Sequence, residues 1–155
     1  MSNKVSDEIC LENYLKLREL FDSVIEDYNR FEMVYACGVD AQLSDTVVVK
    51  ANTYDYSGYA VGFDTVASEI VILPVAQNLS EYGEAVYLKY SDIIWAKQSF
   101  ISKEITIKDN RLPQNCIQLK VLAQLNKDHG EGFFLVKQDE SYRKFMTFFK
   151  NQFKK

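Results

Sequence analysis

Over residues 7–30, Leu11, Tyr14, Leu15, Leu17, Phe21, Val24, Ile25 and Tyr28 recur at three- and four-residue steps, with Glu12, Lys16, Glu19, Asp22 and Glu26 between them. That spacing predicts an amphipathic helix, since it gathers the apolar side chains on one side of a helical surface. Ser6 or Asp7 can cap it, and Asp7 and Glu8 suit the positive end of its dipole. Residues 31–38, FEMVYACG, read either as a last turn or as a short strand; the run is too short for its period to decide.

Beyond Gly38 the pattern changes to short β-rich runs separated by turn residues, and seven are expected before the chain returns to helix. They are residues 46–51, 58–63, 69–75, 85–90 with a resumption at 93–96, 100–108, 117–125 and 133–137. In the second run Tyr59, Val61 and Phe63 alternate with Ala60 and Gly62. Pro74 argues for an edge position or a strand end in the third, because proline has no N–H for the ladder. In the fifth, Ile101, Ile105 and Ile107 share one parity, so one face is buried; in the sixth, Leu122 alone spoils a clean alternation. Residues 126–132, NKDHGEG, form a hairpin connection. Asp139 is a candidate N-cap for a terminal helix whose Tyr142, Phe145, Met146, Phe149 and Phe153 form an apolar stripe.

Strands followed by a terminal helix give an α+β, mainly β protein. The order resembles the pleckstrin-homology-like barrel, in which two bent antiparallel sheets pack and a C-terminal helix plugs one open end. The run YLKYSDIIWAKQSFISKEITIK, with Tyr90, Asp92, Ile93, Ile105 and Ile107, is similar to the middle of bacterial domains of that family, and YAVGFDTVASEIVILPV to its second hairpin. The resemblance covers residues 46–153 and implies a barrel of about seven antiparallel strands. The long N-terminal helix departs from the pattern, and residues 31–38 are a candidate additional strand. A cystatin-like or helix-grip sheet is the alternative. Either way residues 1–155 make one domain, with a helix and lead-in over 1–44 and the barrel with its helix over 45–155.

Composition narrows the function. With 47% apolar and 26% charged residues the chain has the balance of a soluble globular protein, and no apolar run reaches the roughly 20 residues of a membrane span. A net charge of −4 supplies no general field for nucleic acid. Three cysteines without close spacing suit reduced thiols, so a cytoplasmic protein is expected. Cys10 and Cys116 read as small buried hydrophobes.

Candidate chemistry is sparse. His129 is the only histidine and lies in NKDHGEG, where it reads as a solvated hairpin tip and not as a metal ligand. There is no G-x-S-x-G elbow and no glycine-rich phosphate loop. Paired carboxylates sit where helix faces and starts account for them. The first-hairpin loop ANTYDYS carries no basic residue, so phosphoinositide binding, which the resemblance would otherwise suggest, is not expected. No cofactor or metal is expected, nor an enzyme.

The tyrosines are in excess, ten in all, and Tyr54, Tyr56, Tyr59 and Tyr82 form the candidate interaction surface. Strand-forming tyrosines lining a sheet are the plainer account of the same residues. The leading expectation is a non-catalytic interaction module that binds a protein partner or self-associates. One alternative is a carrier of small hydrophobic ligands of the helix-grip type, with a cavity under the terminal helix. The other is an acidic inhibitor or immunity-type protein covering a basic partner with Asp40, Asp45, Asp55, Asp64 and Glu69.

Overall fold

The computed structural model describes residues 5–38, 58–127 and 134–155. Helix α1 spans Asp7–Val24, capped by Ser6, whose Oγ accepts the Ile9 N–H at 3.3 Å. It ends earlier than its periodicity suggests because Ile25 is extended, and a 3-10 turn, Tyr28–Arg30, leads into β1 at Glu32–Gly38. The undecided run is therefore a strand. There follow β2 (Gly58–Asp64), β3 (Glu69–Val75), β4 (Val86–Lys89), β5 (Trp95–Gln98), β6 (Ile105–Lys108), β7 (Cys116–Val121), β8 (Gln124–Leu125) and β9 (Val136–Lys137). Helix α2, Asp139–Phe148, continues as a π-helical turn, Phe149–Phe153.

The protein is α+β and mainly β. Strands β1 to β7 form one antiparallel sheet in the order β4-β3-β2-β1-β7-β6-β5, curled into a half-barrel, and β8 with β9 forms a separate pair. Two meanders thus meet where β1 pairs with β7, at Ala36 with Val121, Cys37 with Lys120 and Gly38 with Leu119. The edge strand β5 is covered by Lys155, whose N–H and C=O exchange hydrogen bonds with Ala96 at 2.8 and 3.0 Å.

Strand parity builds two cores. Val34, Ala36, Val61, Phe63, Ile70 and Ile72 point into the curl, where Phe145, Phe148, Phe149 and Phe153 of the terminal helix meet Leu88, Ile105, Ile107 and Leu119. Met33, Tyr35, Cys37, Ala60, Val71, Leu73 and Val75 point outward and are covered by Leu17 and Phe21 of α1 and by Ile25 just beyond it. Strands β1 to β3 are therefore buried on both faces, which is why they read as nearly unbroken apolar runs. The small residues of β2 let α1 approach. A Cβ at Gly62 would stand 2.6 Å from Phe21 Cζ and 2.8 Å from Val71 Cγ1.

The expected strands hold to different extents. Residues 69–75 coincide with β3, in which Pro74 lies past the last β3–β4 pair, Ile72 with Val86, so its missing N–H interrupts no bond there. The run 46–51 lies outside the described residues. The resumption after residue 90 is a strand of its own, β5. The run 100–108 is corrected: its first half is the β5–β6 turn, and only Ile105–Lys108 is strand. The run 117–125 is two strands in two sheets, broken at Leu122. Asp139 is the first residue of α2, not its cap; Gln138 holds that position. Cys10 is buried as expected, but Cys116 is exposed.

Candidate interaction surface

Of the four candidate tyrosines, Tyr54 and Tyr56 lie outside the described residues. Tyr59 shares the inward parity of Val61 and Phe63 and packs on the inner core. Tyr82 is half exposed and bridges to Val75, whose side chain belongs to the outer core. The two described tyrosines therefore serve opposite faces of the sheet and do not join into one patch.

The acidic residues divide similarly. Asp40, Asp45 and Asp55 lie outside the described residues, as does His129. Asp64 and Glu69 are buried opposite one another and share Arg30, whose Nη1 donates to Asp64 Oδ2 at 2.8 Å and to Glu69 Oε1 at 2.7 Å. Arg30 Nε also donates to Asp27 at 2.6 Å, and its guanidinium lies 4.2 Å from the Phe31 ring centroid. Burial pushes the Asp64 carboxyl up, but hydrogen bonds from Arg30 and from the N–H groups of Ala67 and Val66 outweigh it and hold the pKa below the ordinary value. Asp109 is held low chiefly by Arg111, whose Nε and Nη2 donate to it at 2.8 and 2.6 Å. Among the described residues no cluster of three or more His, Cys, Asp or Glu could hold a metal.

Beneath the terminal helix, aromatic side chains fill the curl: the Phe63 ring lies 5.3 Å from those of both Phe145 and Phe148, and Phe148 lies 5.6 Å from Phe153. Beside the helix runs an open groove of about 490 Å³, lined by Phe63 and Phe148 but also by Glu32, Arg143, Lys144 and Gln152. A smaller depression of about 270 Å³ lies at Asp92, Ile94 and Asp109–Arg111.

The most exposed apolar pair of the described residues is at the β5–β6 turn, where Phe100 and Ile101 are 88% and 91% exposed. The turn is firmly built. Ser99 N–H donates to Glu104 O at 2.8 Å, and Lys103, in the left-handed region at φ 65°, donates its N–H to Ser99 O at 3.0 Å. Ser99 Oγ accepts from Ser102 N–H, Ser102 Oγ accepts from Glu104 N–H, and Gln98 Nε2 donates to Lys103 O. Phe100 and Ile101 thus stand at the tip of a turn that hydrogen bonds of Ser99, Ser102, Lys103 and Glu104 close around them.

Behind the tip, Ala96 and Ile107 face the core, so the neighbouring positions face out. Trp95 stands opposite Lys108, Lys97 opposite Thr106, and Lys120 follows on β7. Lys97 Nζ lies 4.8 Å from the Trp95 ring centroid and Lys103 Nζ 5.1 Å from that of Phe100. Among the described residues none of Lys97, Lys103, Lys108 and Lys120 is in an ion pair. In a chain of net charge −4, the outward face of this hairpin is locally basic and apolar: Lys97 and Lys103 stand by Phe100 and Ile101, Trp95 and Lys108 lie at the end away from the tip, and Glu104 is the one carboxylate of residues 95–108. The sequence conceals this turn because Ile101 has the same parity as Ile105; its signal is the pair of serines flanking Phe-Ile, which supply turn hydrogen bonds.

Compared with family models, with curated proteins and with solved structures, the chain finds no match in any of the three. No helix among the described residues is long and apolar enough to cross a membrane.

Proposed function

We propose that the chain is a non-catalytic interaction module of the pleckstrin-homology-like kind, working in the cytoplasm, whose docking surface is the β5–β6 tip with the lysine-bearing face behind it. The observation that carries this reading is the near-complete exposure of Phe100 and Ile101 on a turn closed by hydrogen bonds of the residues on either side of them. Adjacent apolar side chains exposed on a hydrogen-bonded turn mark a contact site. The lysines choose a partner with an acidic surface, and the seven-stranded curled sheet closed by a terminal helix supports the family relation. The non-catalytic part is supported by the use of Arg30, Asp64, Glu69, Asp109 and Arg111 in ion pairs that brace turns.

Self-association is a second reading with its own support. Helix α1 exposes Leu11 and Leu15, one turn apart, beside Glu8, Glu12 and Glu19, a surface complementary in charge to the tip face. Light scattering on the eluting protein tests it: a mass that stays monomeric at high concentration removes it.

A photo-crosslinking residue placed in turn at positions 101, 82 and 66 tests the docking surface in cells. Adducts concentrated at 101 support it. Val66 is also exposed and lies on the β2–β3 turn, so equal yields at 66 and 101 remove it.

A further inference from the structure

We infer that the acidic surface met by the β5–β6 tip is an anionic lipid bilayer, with Phe100 and Ile101 entering the headgroup region and Lys97, Lys103 and Lys120, at the tip end of their strands, reaching lipid phosphates. The inference rests on the reading of the tip as the docking surface and names its partner.

Three observations favour lipid over protein. Protein interfaces place aromatic residues in a packed, flat centre and are depleted in lysine; here the apolar pair stands on a convex four-residue turn, Phe100–Lys103, and lysine is its main company. The Trp and Lys combination is the one enriched at bilayer surfaces, where lysine stems lie along apolar matter and the ammonium stays in water. Finally, the hairpin of residues 95–108 carries three lysines against one carboxylate, Glu104. The acidic helix α1 packs on the outer core of β1 to β3 and β9, a cluster that holds no residue of β5 or β6, so its carboxylates stand apart from the tip.

Two weak signals together are what peripheral binding requires. Burial of Phe100 and Ile101 supplies one. The lysines supply the other, each near an anionic leaflet contributing a factor of about five. Neither binds firmly alone, so the association is reversible, weakened by salt, and indifferent to headgroup identity beyond its charge.

Trp95 is the chain's only tryptophan and lies on the outward face of the hairpin, paired with Lys108 at the end away from the tip, so its fluorescence reports whether the lysine-bearing face behind the tip meets the bilayer. The purified full chain is mixed with vesicles of phosphatidylcholine alone or with about one third phosphatidylglycerol, the anionic fraction setting the surface potential. Expected are co-sedimentation with the anionic vesicles only, a blue shift of Trp95 emission, and loss of both at high salt. F100S/I101S weakens binding by at least about tenfold, as loss of two buried apolar side chains requires. K97E/K103E weakens it to a similar degree, while Y82S leaves it unchanged. Circular dichroism and the melting temperature confirm that the variants fold.

Failure to sediment with anionic vesicles, or binding of F100S/I101S equal to that of the unaltered chain, overturns the inference. If vesicles are ignored while the crosslinker at 101 captures a protein, the lipid inference falls and the docking surface stands. If 101 captures no more than 66 as well, both fall.

Discussion

The side-chain amide of Gln138 pairs with the backbone of Tyr35 as a neighbouring strand residue would: Oε1 accepts the Tyr35 N–H at 2.7 Å and Nε2 donates to the Tyr35 C=O at 2.9 Å. Strand β7 has left β1 by this point, and Nε2 also reaches Leu122 O at 2.8 Å, tying down the chain where it departs. The Gln138 backbone N–H donates to Ala123 O, and its C=O accepts from Tyr142 N–H in the first turn of α2. One buried glutamine thus completes a ladder, fixes a strand exit and starts a helix.

Gln138→Leu should therefore be among the most damaging substitutions, because it removes no bulk yet strands the N–H and C=O of Tyr35 and the C=O of Leu122. At about 1–3 kcal/mol for a buried unsatisfied group, a loss of about 3 kcal/mol is expected. Gln138→Glu keeps the acceptor but sets a buried carboxyl against the Tyr35 and Leu122 carbonyls, so at neutral pH it should cost at least as much as Leu. Urea unfolding midpoints at neutral pH measure both; a Leu variant within about 0.5 kcal/mol of the unaltered chain, the range of ordinary surface changes, would contradict the account.

What could be read from the sequence follows from how local each cause is. Helix α1, strand β3 and helix α2 rest on period and composition within their own segments, and all three were legible. Leu122 was legible too, as the flaw in an alternation, though not as the residue at which the chain changes sheets. Gln138 was not, since its partners are about a hundred positions away in the case of Tyr35, and nothing beside it marks it. The turn at Phe100 and Ile101 was hidden by arithmetic: a four-residue turn, 100–103, preserves strand parity, so Ile101 looked like a neighbour of Ile105 on a buried face. The tyrosine excess points instead to Tyr59 and Tyr82 among the described residues, which the fold divides between its two faces.

Gly62→Val should lift α1 from the sheet. Its Cβ alone meets Phe21 Cζ at 2.6 Å and Val71 Cγ1 at 2.8 Å, on the stiff centre of β2, so the Phe21 ring must move outward. A loss of about 2–3 kcal/mol is expected, with faster amide exchange in residues 10–24 than in β5 to β7. Uniform exchange across both regions would show that α1 is not a separable layer.

The Arg30 cluster sets a pH dependence. Asp64 has a folded pKa below its unfolded value, so its contribution is complete above about pH 4, where the unfolded carboxyl ionises, and is lost as pH falls through the lower folded value. Asp109 adds to the same acid limb. Arg30→Met should cost about 2 kcal/mol at neutral pH, below the roughly 3–5 kcal/mol for breaking a fully buried pair, because the Arg30 side chain is 33% exposed. It should also flatten the fall in stability between about pH 5 and 2. Melting temperatures across that range decide it, and an unchanged acid slope in the variant would remove Asp64 from the explanation.

Position 101 and position 105 share parity but not environment, so one residue type should have opposite consequences at the two. Ile101→Ser exposes nothing new, since the side chain is 91% exposed and the turn is closed by backbone and serine hydrogen bonds that do not involve it. Its effect on stability should stay within about 0.5 kcal/mol, as for surface changes generally. Ile105→Ser places a hydroxyl in the inner core among Leu119, Ile107 and their neighbours and opens a cavity, for about 2–4 kcal/mol. Urea titrations of the two variants separate a turn from a strand directly. A costly Ile101→Ser would mean that this side chain is covered in solution, by the chain itself or by a second copy, and light scattering on the same sample would tell which.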